Sequence, residues 1–342
     1  MSDLLINPDT LKAVLSKMLN TTIIGASHQI KQLQGGTVGN VNLIAGIAQT
    51  ASSAKIPFNL VQKIQEEWER WGDPFSWRRE YDLYASGLGA TFSSSFYWPA
   101  CYHAEINKTG NETQLWMEYI QGVSGKSLTI EMLETAATEL GRYQGKLHLQ
   151  KPDFLQNITN LGEVNAMEVY YRYWKPRAVE YNYIRDPNCK IPRHLCDMLI
   201  DIDNNADAIF ESIRKLPVVF CHRDFWIENI LYSHGKIALI DWDTTGWGYL
   251  GEDIAQLITD GTDPIHWQAY RHKLIPAYLS GFAEYMDIKE AADVAICKMT
   301  LVKTGYLCVD SFLEEESAEG KDNAIKSLQM LYDVFYKQEA II

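Results

Sequence analysis

The pattern of apolar and polar positions changes about a third of the way along the chain. Before that point, short apolar runs and alternation predict strands over residues 30–34, 41–47, 58–64, 97–103 and 114–119. Two helices are expected among them, starting at Asn7 and Asp73, where a capping residue precedes a proline. Beyond about Ser124 the apolar spacing predicts helices over residues 132–147, 192–215, 265–285, 289–313 and 319–338. The pattern therefore predicts an α+β fold with a small antiparallel sheet and a larger, mainly helical part.

Residues 218–258 interrupt the helical pattern with short β-rich runs. The runs are Val218–Cys221, Ile230–Tyr232 and Ile237–Ile240, and the turn-forming sequence Ser-His-Gly separates the last two. These two runs are predicted to form a hairpin. Polar residues stand at the ends of the runs, so short buried strands would bring their side chains together.

Three of these polar residues have the order and spacing that phosphoryl transfer requires. Asp224 follows the first run, Asn229 lies further along the same loop, and Asp241 ends the third run. In phosphoryl transfer one carboxylate orients the attacking hydroxyl, while an amide oxygen and a second carboxylate hold Mg²⁺ on the nucleotide phosphates. Each residue alone is better explained as part of a turn or a strand end. All three in register favour a catalytic loop.

The segment resembles the catalytic loop of the aminoglycoside phosphotransferase family, also called the antibiotic and choline kinase-like family, which comprises small-molecule relatives of protein kinases. The sequences Ile-Asp-Trp at 240–242 and Gly-Glu-Asp-Ile-Ala at 251–255 are similar to that branch. A protein kinase has a peptide-docking activation segment after the metal-binding aspartate, and here the next helix begins too soon for one. His-Arg-Asp at 222–224 replaces the commoner His-Gly-Asp. The resemblance implies a bilobal protein-kinase-like fold.

In such a fold, residues 1–118 would form the N-terminal nucleotide-binding lobe, residues 119–122 the hinge, and residues 123–342 the C-terminal helical lobe for catalysis and acceptor binding. The resemblance places the hinge at the end of the last predicted strand of the sheet. There, backbone groups of Glu118 and Ile120 would bind the adenine edge. Because recognition would use the backbone, the side chains do not distinguish ATP from GTP.

The resemblance also implies roles in the catalytic loop. Asp224 would accept the hydrogen bond of the acceptor hydroxyl, and Asn229 and Asp241 would hold Mg²⁺. Arg223 would tie the loop to neighbouring carbonyl or carboxylate groups. Two roles stay open for Asp243, a carboxylate facing the substrate or a cap at a helix start.

Lys63 is placed like the strand lysine that contacts the nucleotide phosphates in kinases, and Glu80, on the following helix, like its ion-pair partner. Taken alone, Lys63 is an exposed strand lysine. Lys55 is the competing lysine, expected in the preceding loop, and Asp82 is the competing partner on another face of the helix.

A glycine-containing turn at residues 35–40 lies between the first two predicted strands. Its backbone amides around Gly36 and Gly39 could cover the nucleotide phosphates, because glycine permits close approach. The turn is not a complete Gly-x-Gly-x-x-Gly motif, and a plain hairpin explains it equally well. Its place at the start of the small lobe favours the phosphate-binding interpretation.

Two features of the helical part are candidates for contacting an acceptor. Residues 166–186 are rich in tyrosine and tryptophan, which could stack on a substrate or hold a cation, although helix packing is the favoured explanation. Asp310 and Glu314–Glu316 form an acidic run that is usually a solvated face. In the resembling family, carboxylates of this region bind ammonium groups, so both interpretations stay open.

The composition and net charge limit the kinds of molecule that the protein is expected to bind. The chain has 342 residues, is 46% hydrophobic and carries a formal charge of −13, so it can bury a core and is poorly suited to bind nucleic acid. An acidic protein is compatible with a cationic acceptor, but the same charge also serves solubility.

Six cysteines without a CxxC pair indicate reduced, buried thiols. Without a signal-peptide pattern or a membrane-spanning run, we expect a cytoplasmic protein.

These observations predict an enzyme that moves the γ-phosphate of ATP or GTP, with Mg²⁺, to a hydroxyl of a small molecule. An aminoglycoside-like or other antibiotic ranks first as the acceptor. A metabolic kinase for an amino alcohol, homoserine or a sugar is the alternative. A nucleotide-binding module without transfer activity is the alternative of another class, and the complete set Asp224, Asn229 and Asp241 argues against it. Protein-kinase activity is disfavoured because the activation segment is missing.

Overall fold

The computed structural model describes residues 6–33, 39–173, 178–288 and 291–337. The chain divides into two compact units, one of Met1–Ala90 with Trp98–Gln121 and one of Thr91–Tyr97 with Gly122–Ile342. The strands are β1 (Ile23–Gln32), β2 (Asn40–Thr50), β3 (Lys55–Glu66), β4 (Phe96–Tyr97), β5 (Cys101–Ile106), β6 (Glu112–Glu118), β7 (Val218–Cys221), β8 (Ile230–Ser233), β9 (Lys236–Leu239) and β10 (Gly246–Tyr249). The helices are α1 (Pro8–Met18), α2 (Ser76–Ser86), α3 (Ile130–Gln150), α4 (Ala166–Tyr173), α5 (Ala178–Tyr183), α6 (Arg193–Asn204), α7 (Ala206–Ile213), α8 (Glu252–Thr259), α9 (Trp267–Ala283), α10 (Ala292–Glu314) and α11 (Ala318–Leu331).

The first unit is built on an antiparallel sheet in the order β1-β2-β3-β6-β5. Helix α1 packs on one face of it. The helix begins where predicted, because the Asn7 side chain accepts a hydrogen bond from the Asp9 amide at 2.9 Å and Pro8 occupies the first turn. The apolar face of α1 is buried in one cluster with sheet residues such as Leu60 and Trp116. This burial holds the helix on the sheet.

Several predicted boundaries in the first unit are wrong. Strand β1 begins at Ile23 rather than residue 30, and β3 begins at Lys55, which therefore lies on a strand instead of in a loop. Asp73 does not cap a helix. Its carboxylate binds the guanidinium of the buried Arg79, with Nη2 to Oδ1 at 2.5 Å, and α2 begins later, at Ser76.

The second unit is mainly helical, and α3 and α9 pack closely against each other. Two glycines allow the contact: a Cβ atom on Gly141 would lie 2.1 Å from the Tyr278 carbonyl oxygen, and one on Gly281 would lie 2.2 Å from that of Thr138. The backbones can approach this closely only because side chains are absent there. The helix predicted over residues 192–215 is two helices, α6 and α7, which meet at Asn205. No described helix is both long and apolar enough to cross a membrane.

Residues 218–258, which interrupt the helical pattern, contribute strands to two small sheets in the second unit. Strands β8 and β9 form the predicted hairpin, with His234 and Gly235 at positive φ in its turn. The prediction for residues 97–103 is wrong in part, because β4 pairs in parallel with β9 in the second unit while β5 belongs to the first. Strand β10, which pairs with β7, was not predicted. The predicted α+β class, with an antiparallel sheet and a larger helical part, is confirmed.

Candidate active site

The loop after β7 is held by a buried carboxylate from the next helix. Asp253, on α8, accepts hydrogen bonds from the backbone amides of His222 at 3.0 Å and Arg223 at 2.7 Å. The amide of Gln144, on α3, donates to the same carboxylate at 2.8 Å. Burial raises the pKa of Asp253 to about 6, while the hydrogen bonds from the two backbone amides oppose that rise. Asp253 lies in the Gly-Glu-Asp-Ile-Ala sequence at 251–255, but nothing in the local sequence predicts this anchoring role.

Arg223 turns away from solvent and binds the surrounding backbone. Its guanidinium donates to the carbonyl oxygens of Glu163 and Trp247, and its Nε lies 3.3 Å from a carboxylate oxygen of Glu252. Its backbone φ of 65° is in the left-handed region. Arg223 thus fixes the loop that presents Asp224.

The carboxylate of Asp224 is oriented by two side-chain amides. Asn229 Nδ2 donates to Asp224 Oδ2 at 2.7 Å and to the Asp224 backbone carbonyl at 2.9 Å. Gln256, on α8, donates to Oδ1 at 3.4 Å. Burial raises the pKa of Asp224 to about 6, with the charges of Asp241 and Asp243 adding to the rise and Asn229 opposing it.

Asn229 and Asp241 both lie near Asp224 and carry oxygen atoms of the kind that bind cations. Because the Nδ2 of Asn229 is committed to Asp224, its Oδ1 points the other way and accepts no hydrogen bond from the described residues. Asp241 follows β9 with φ at 65°, and its charge reaches Asp224. An amide oxygen and a carboxylate suit Mg²⁺, which usually completes its shell with water and substrate phosphate oxygens. Within the described ranges, no cluster of three or more His, Cys, Asp or Glu offers a complete protein cage.

His222 begins the His-Arg-Asp sequence, and its ring stabilises the loop through hydrogen bonds that the sequence did not predict. Its Nε2 lies 3.0 Å from the Ile240 carbonyl oxygen, and its Nδ1 accepts a hydrogen bond from the Asp224 amide at 3.3 Å. These partners require the tautomer with the proton on Nε2. The ring also packs edge-on against Trp242, so the histidine links the strand before Asp241 to the turn before Asp224.

Asp224 lines a cavity of about 410 Å³ within the second unit. Trp226 and Asp260 form part of its wall, and α10 contributes Thr304, Leu307 and Ser311. The volume lies at the lower end of the range of about 300–1,000 Å³ for small-molecule sites. A compact molecule could therefore place a hydroxyl beside Asp224.

The residues predicted to bind the nucleotide phosphates lie in the first unit. Lys63 Nζ is 2.5 Å from Glu80 Oε2, and both side chains are almost fully buried. The competing Asp82 instead binds Arg78, with guanidinium Nε to Oδ2 at 3.0 Å, and the competing Lys55 is exposed on β3. The predicted ion pair of Lys63 with Glu80 is thus present.

The remaining predicted nucleotide contacts are only partly described. Gly36 lies outside the described residues. Gly39 has φ at 86°, and a Cβ atom there would lie 2.6 Å from the Ile64 carbonyl oxygen, so this position requires glycine. Glu118 ends β6, where its amide donates to the Ala100 carbonyl oxygen at 2.8 Å, and Ile120 follows two residues later.

The acidic run of the C-terminal region has a mixed environment. Asp310 is buried on α10, with 8% of its surface exposed. The Glu315 carboxylate accepts a hydrogen bond from the Ser317 amide at 3.1 Å, just before α11. Neither residue is part of the cavity wall beside Asp224.

Comparison with known proteins identifies the class to which this fold and catalytic loop belong. A family model described as the phosphotransferase enzyme family matches residues 93–288. Because the match spans more than half of the 342 residues, the chain belongs to the phosphotransferase enzyme family. The resemblance seen in the sequence is confirmed.

Individual relatives match shorter stretches. Amicoumacin kinase of Bacillus subtilis (strain 168) is 24% identical over 130 residues, 36% of this chain and 34% of that protein. Ethanolamine kinase 1 of Mus musculus is 30% identical over 78 residues, 20% of this chain and 22% of that protein. The chain thus spans about a third or less of the curated relatives that it matches.

The fold extends further than the sequence similarity. The structure of choline kinase from Cryptosporidium parvum Iowa II superposes with a TM-score of 0.57 at 16% identity, covering 92% of this chain and 90% of that one. At this identity the likeness concerns the fold alone. It confirms the kinase-like fold class predicted from the sequence.

Proposed function

We propose that this protein transfers the γ-phosphate of a nucleoside triphosphate to a hydroxyl group of a small molecule. The observation that carries the proposal is the Asp224 carboxylate, which lines the cavity and is oriented by Asn229 and Gln256. Such a carboxylate can accept the hydrogen bond of an attacking hydroxyl, which is the one proton-handling role that phosphoryl transfer requires. Membership of the phosphotransferase enzyme family supports the same reaction.

The other residues would bind and orient the donor. Asn229 Oδ1 and the Asp241 carboxylate would hold Mg²⁺, which neutralises charge on the phosphates when bound. Lys63, steadied by Glu80, would contact the phosphates together with the backbone near Gly36 and Gly39. In this assignment residues 1–118 form the nucleotide-binding lobe, and the backbone of Glu118 and Ile120 in and beside the 119–122 hinge binds the base. Residues 123–342 supply catalysis and the acceptor site.

Two acceptor classes have support from the named relatives. Amicoumacin kinase favours an antibiotic, the class ranked first from the sequence. Ethanolamine kinase and choline kinase favour an amino alcohol. An amino alcohol combines a hydroxyl with a cationic group, in keeping with the acidic balance of the chain.

The test is nucleotide consumption by the purified protein with Mg²⁺, using ATP and GTP separately. The acceptor panel contains an aminoglycoside, a macrolide, choline, ethanolamine, homoserine and simple sugars, and phosphorylated product is detected by mass spectrometry. Asp224→Asn should lower turnover by roughly 10²–10⁴-fold, because the hydroxyl loses its acceptor. Asp287→Asn, which changes an exposed carboxylate of the same unit, should leave it unchanged.

The outcomes separate the alternatives. Transfer that survives in Asp224→Asn would remove Asp224 from the mechanism. Nucleotide binding without transfer to any acceptor would support a binding module. Failure to bind either nucleotide would contradict the kinase proposal itself.

A further inference from the structure

Two cysteines meet at the start of α6, in the second unit. Cys189 lies in the connection between α5 and α6, and Cys196 is the fourth residue of α6. Both are free thiols, and their Sγ atoms are 3.7 Å apart. Because a disulfide bond is about 2.05 Å long, the sulfurs must close by roughly 1.7 Å, a distance that side-chain rotation can cover. The two thiols are therefore already in contact in the reduced protein.

The fold holds Cys189 in this place. Its amide donates to the Asp186 carbonyl oxygen at 3.0 Å, which closes a turn just before α6. The amide of Lys190 donates to the Tyr183 hydroxyl at 3.1 Å. The Tyr183 ring in turn packs on Phe312 of α10, with ring centroids 5.9 Å apart. The contact of the thiols is thus supported by α5 and α10, and not only by their closeness in sequence.

The two thiols differ in their access to solvent. Cys189 is half-buried, whereas Cys196 has only 1% of its surface exposed. Burial raises the pKa of Cys196 to about 12, and a negative charge on Cys189 would add to that rise. A reagent from solvent therefore reaches Cys189 first, and Cys196 is placed to react with the sulfur beside it. An accessible thiol next to a second, resolving thiol is the arrangement found at redox-active sites.

We propose that Cys189 and Cys196 form a reversible disulfide by exchange with a low-molecular-weight disulfide such as oxidised glutathione. The Cys189 thiolate attacks one sulfur of the reagent, whose S–S bond breaks, and one glutathione thiolate leaves. The Cys196 sulfur then attacks the Cys189 sulfur of the mixed disulfide, and the second glutathione leaves. The protons of the two cysteines pass to the two glutathione thiolates. The protein is oxidised by two electrons, and one glutathione disulfide is reduced to two thiols.

The bond locks the connection between α5 and α6. It closes a ring over residues 189–196 and restrains the turn that holds Tyr183 against Phe312. A cross-link restricts the unfolded chain more than the folded one, so oxidation stabilises this region against opening. In reducing surroundings the bond is transient. The state of the connection therefore follows the redox state around the protein.

Peptide mapping of the wild-type chain tests the site directly. The full-length protein is equilibrated with oxidised and reduced glutathione at several ratios, free thiols are blocked with N-ethylmaleimide, and the peptides are analysed by mass spectrometry. Cys189 and Cys196 should be recovered cross-linked and unblocked, and dithiothreitol should reverse the link. Cys101→Ser, which removes the other half-buried cysteine, is the matched control and should leave the yield of the cross-link unchanged.

Two variants test the order of the steps. Cys196→Ala should stop the reaction at the mixed disulfide, so that Cys189 retains one glutathione. Cys189→Ser should lower the rate of modification of Cys196 at least about tenfold relative to wild type, because the remaining thiol is buried. Circular dichroism of each reduced variant checks that it is folded, and the wild-type experiment does not depend on either variant.

The same equilibrium in urea tests whether the fold brings the thiols together. The equilibrium constant for forming the disulfide from oxidised glutathione should be at least about tenfold larger in the folded protein than in the urea-unfolded chain. A ratio of one or less overturns the inference. Thiols that stay reduced at every glutathione ratio, or a wild-type protein that retains the mixed disulfide on Cys189, overturn it as well. None of these outcomes bears on the proposed phosphoryl transfer, which the nucleotide assay tests separately.

Discussion

Two residues of the catalytic loop hold a backbone conformation that most side chains avoid. Arg223 and Asp241 both have φ at 65°, where a Cβ atom is crowded by the backbone. Such conformations cost about 1–3 kcal/mol each and persist where the surroundings fix them. For Arg223, the Asp253 carboxylate and the two carbonyl oxygens supply that restraint. The backbone strain therefore lies at Asp241 itself and at the residue directly before Asp224.

The buried carboxyl of Asp253 should make stability depend on pH. Burial raises its pKa to about 6 from an ordinary value of 3.8, so between these values the folded state binds a proton that the unfolded chain has released. The stability it contributes is complete below about pH 4, is lost as the pH rises through 6, and changes little above that. The free energy of unfolding of the wild type minus that of Asp253→Asn should fall by about 2 kcal/mol between pH 4.5 and 7.5.

Urea unfolding at the two pH values measures this difference. Asp322→Asn, which changes an exposed carboxylate on α11, is the control, and its difference from the wild type should stay constant within about 0.5 kcal/mol. A constant difference for Asp253→Asn as well would show that its carboxyl titrates normally.

The two lysines of β3 should behave differently. Lys63 is paired with Glu80 and buried, whereas Lys55 is exposed on the same strand. Lys63→Met should lower kcat/KM for the nucleotide by roughly 10²-fold, because a charge that stabilises the phosphates is lost. Lys55→Met should have no effect on it. Equal effects of both substitutions would remove the phosphate-binding role of Lys63.

The same pair gives a measurement of coupling. Lys63→Met or Glu80→Gln alone leaves a buried charge without its partner, which costs about 3–5 kcal/mol. The double variant removes both charges and should be less destabilised than the sum of the single variants. Additive losses would indicate that the two side chains do not depend on each other for stability.

At the level of elements, the contact of α3 with α9 depends on glycine. Gly281→Ala should destabilise the protein by several kcal/mol, although alanine favours helix by about 1 kcal/mol, because its Cβ atom would meet the Thr138 carbonyl oxygen at 2.2 Å. The matched control is Gly320→Ala on α11. There the nearest atoms belong to the side chain of Glu315, which can rotate away by giving up its exposed hydrogen bonds to Ser317, so the substitution should cost no more than about 1 kcal/mol.

Chemical denaturation of the two variants tests this contact. A stable Gly281→Ala protein would mean that α9 can shift away from α3 at little cost. Because Tyr278 of α9 donates to Gln144 of α3, which in turn binds Asp253, such a shift should also move the catalytic loop. Loss of turnover without loss of stability would reveal that second effect.

For the whole molecule, binding of the donor should appear as stabilisation. Magnesium and nucleotide at 100 times the dissociation constant should add about 2.7 kcal/mol to the stability of the folded state and raise the melting temperature. Asp241→Asn should lose the part of this shift that depends on Mg²⁺ and keep the part that the nucleotide gives in EDTA. An undiminished effect of Mg²⁺ in that variant would place the ion elsewhere, and Asp322→Asn serves as the control.

Local pattern was enough to predict much of the molecule. Helical spacing predicted α1 and α3. The order of Asp224, Asn229 and Asp241 predicted that Asp224 would have the other two as neighbours, because each residue stands near an end of a short strand. These features depend on residues close in the sequence. Lys63 and Glu80 were also paired correctly, from their resemblance to the strand lysine of kinases and its partner on the following helix.

The features that sequence did not predict depend on partners distant in the chain. Asp73 looked like a helix cap, but the buried Arg79 takes its carboxylate. Strand β4 pairs with β9, and β10 pairs with β7. In both cases the local sequence does not indicate which strand is the partner. The ion pair of Asp260 with Lys303 is likewise visible only once α8 and α10 are packed together.

The path of the chain through β4 limits how the protein can be cut into pieces. Thr91–Tyr97 folds with the second unit although the residues on both sides of it in sequence fold with the first. Phe96 is fully buried there, and the Ile237 amide donates to the Ser95 carbonyl oxygen at 2.8 Å. A fragment of residues 122–342 would expose the unpaired edge of β9 and the apolar surface that Phe96 covers. Both exposures promote aggregation. A soluble fragment of the second unit should therefore include residues 91–97 joined at that edge, because a single cut after residue 121 would leave them with the first unit.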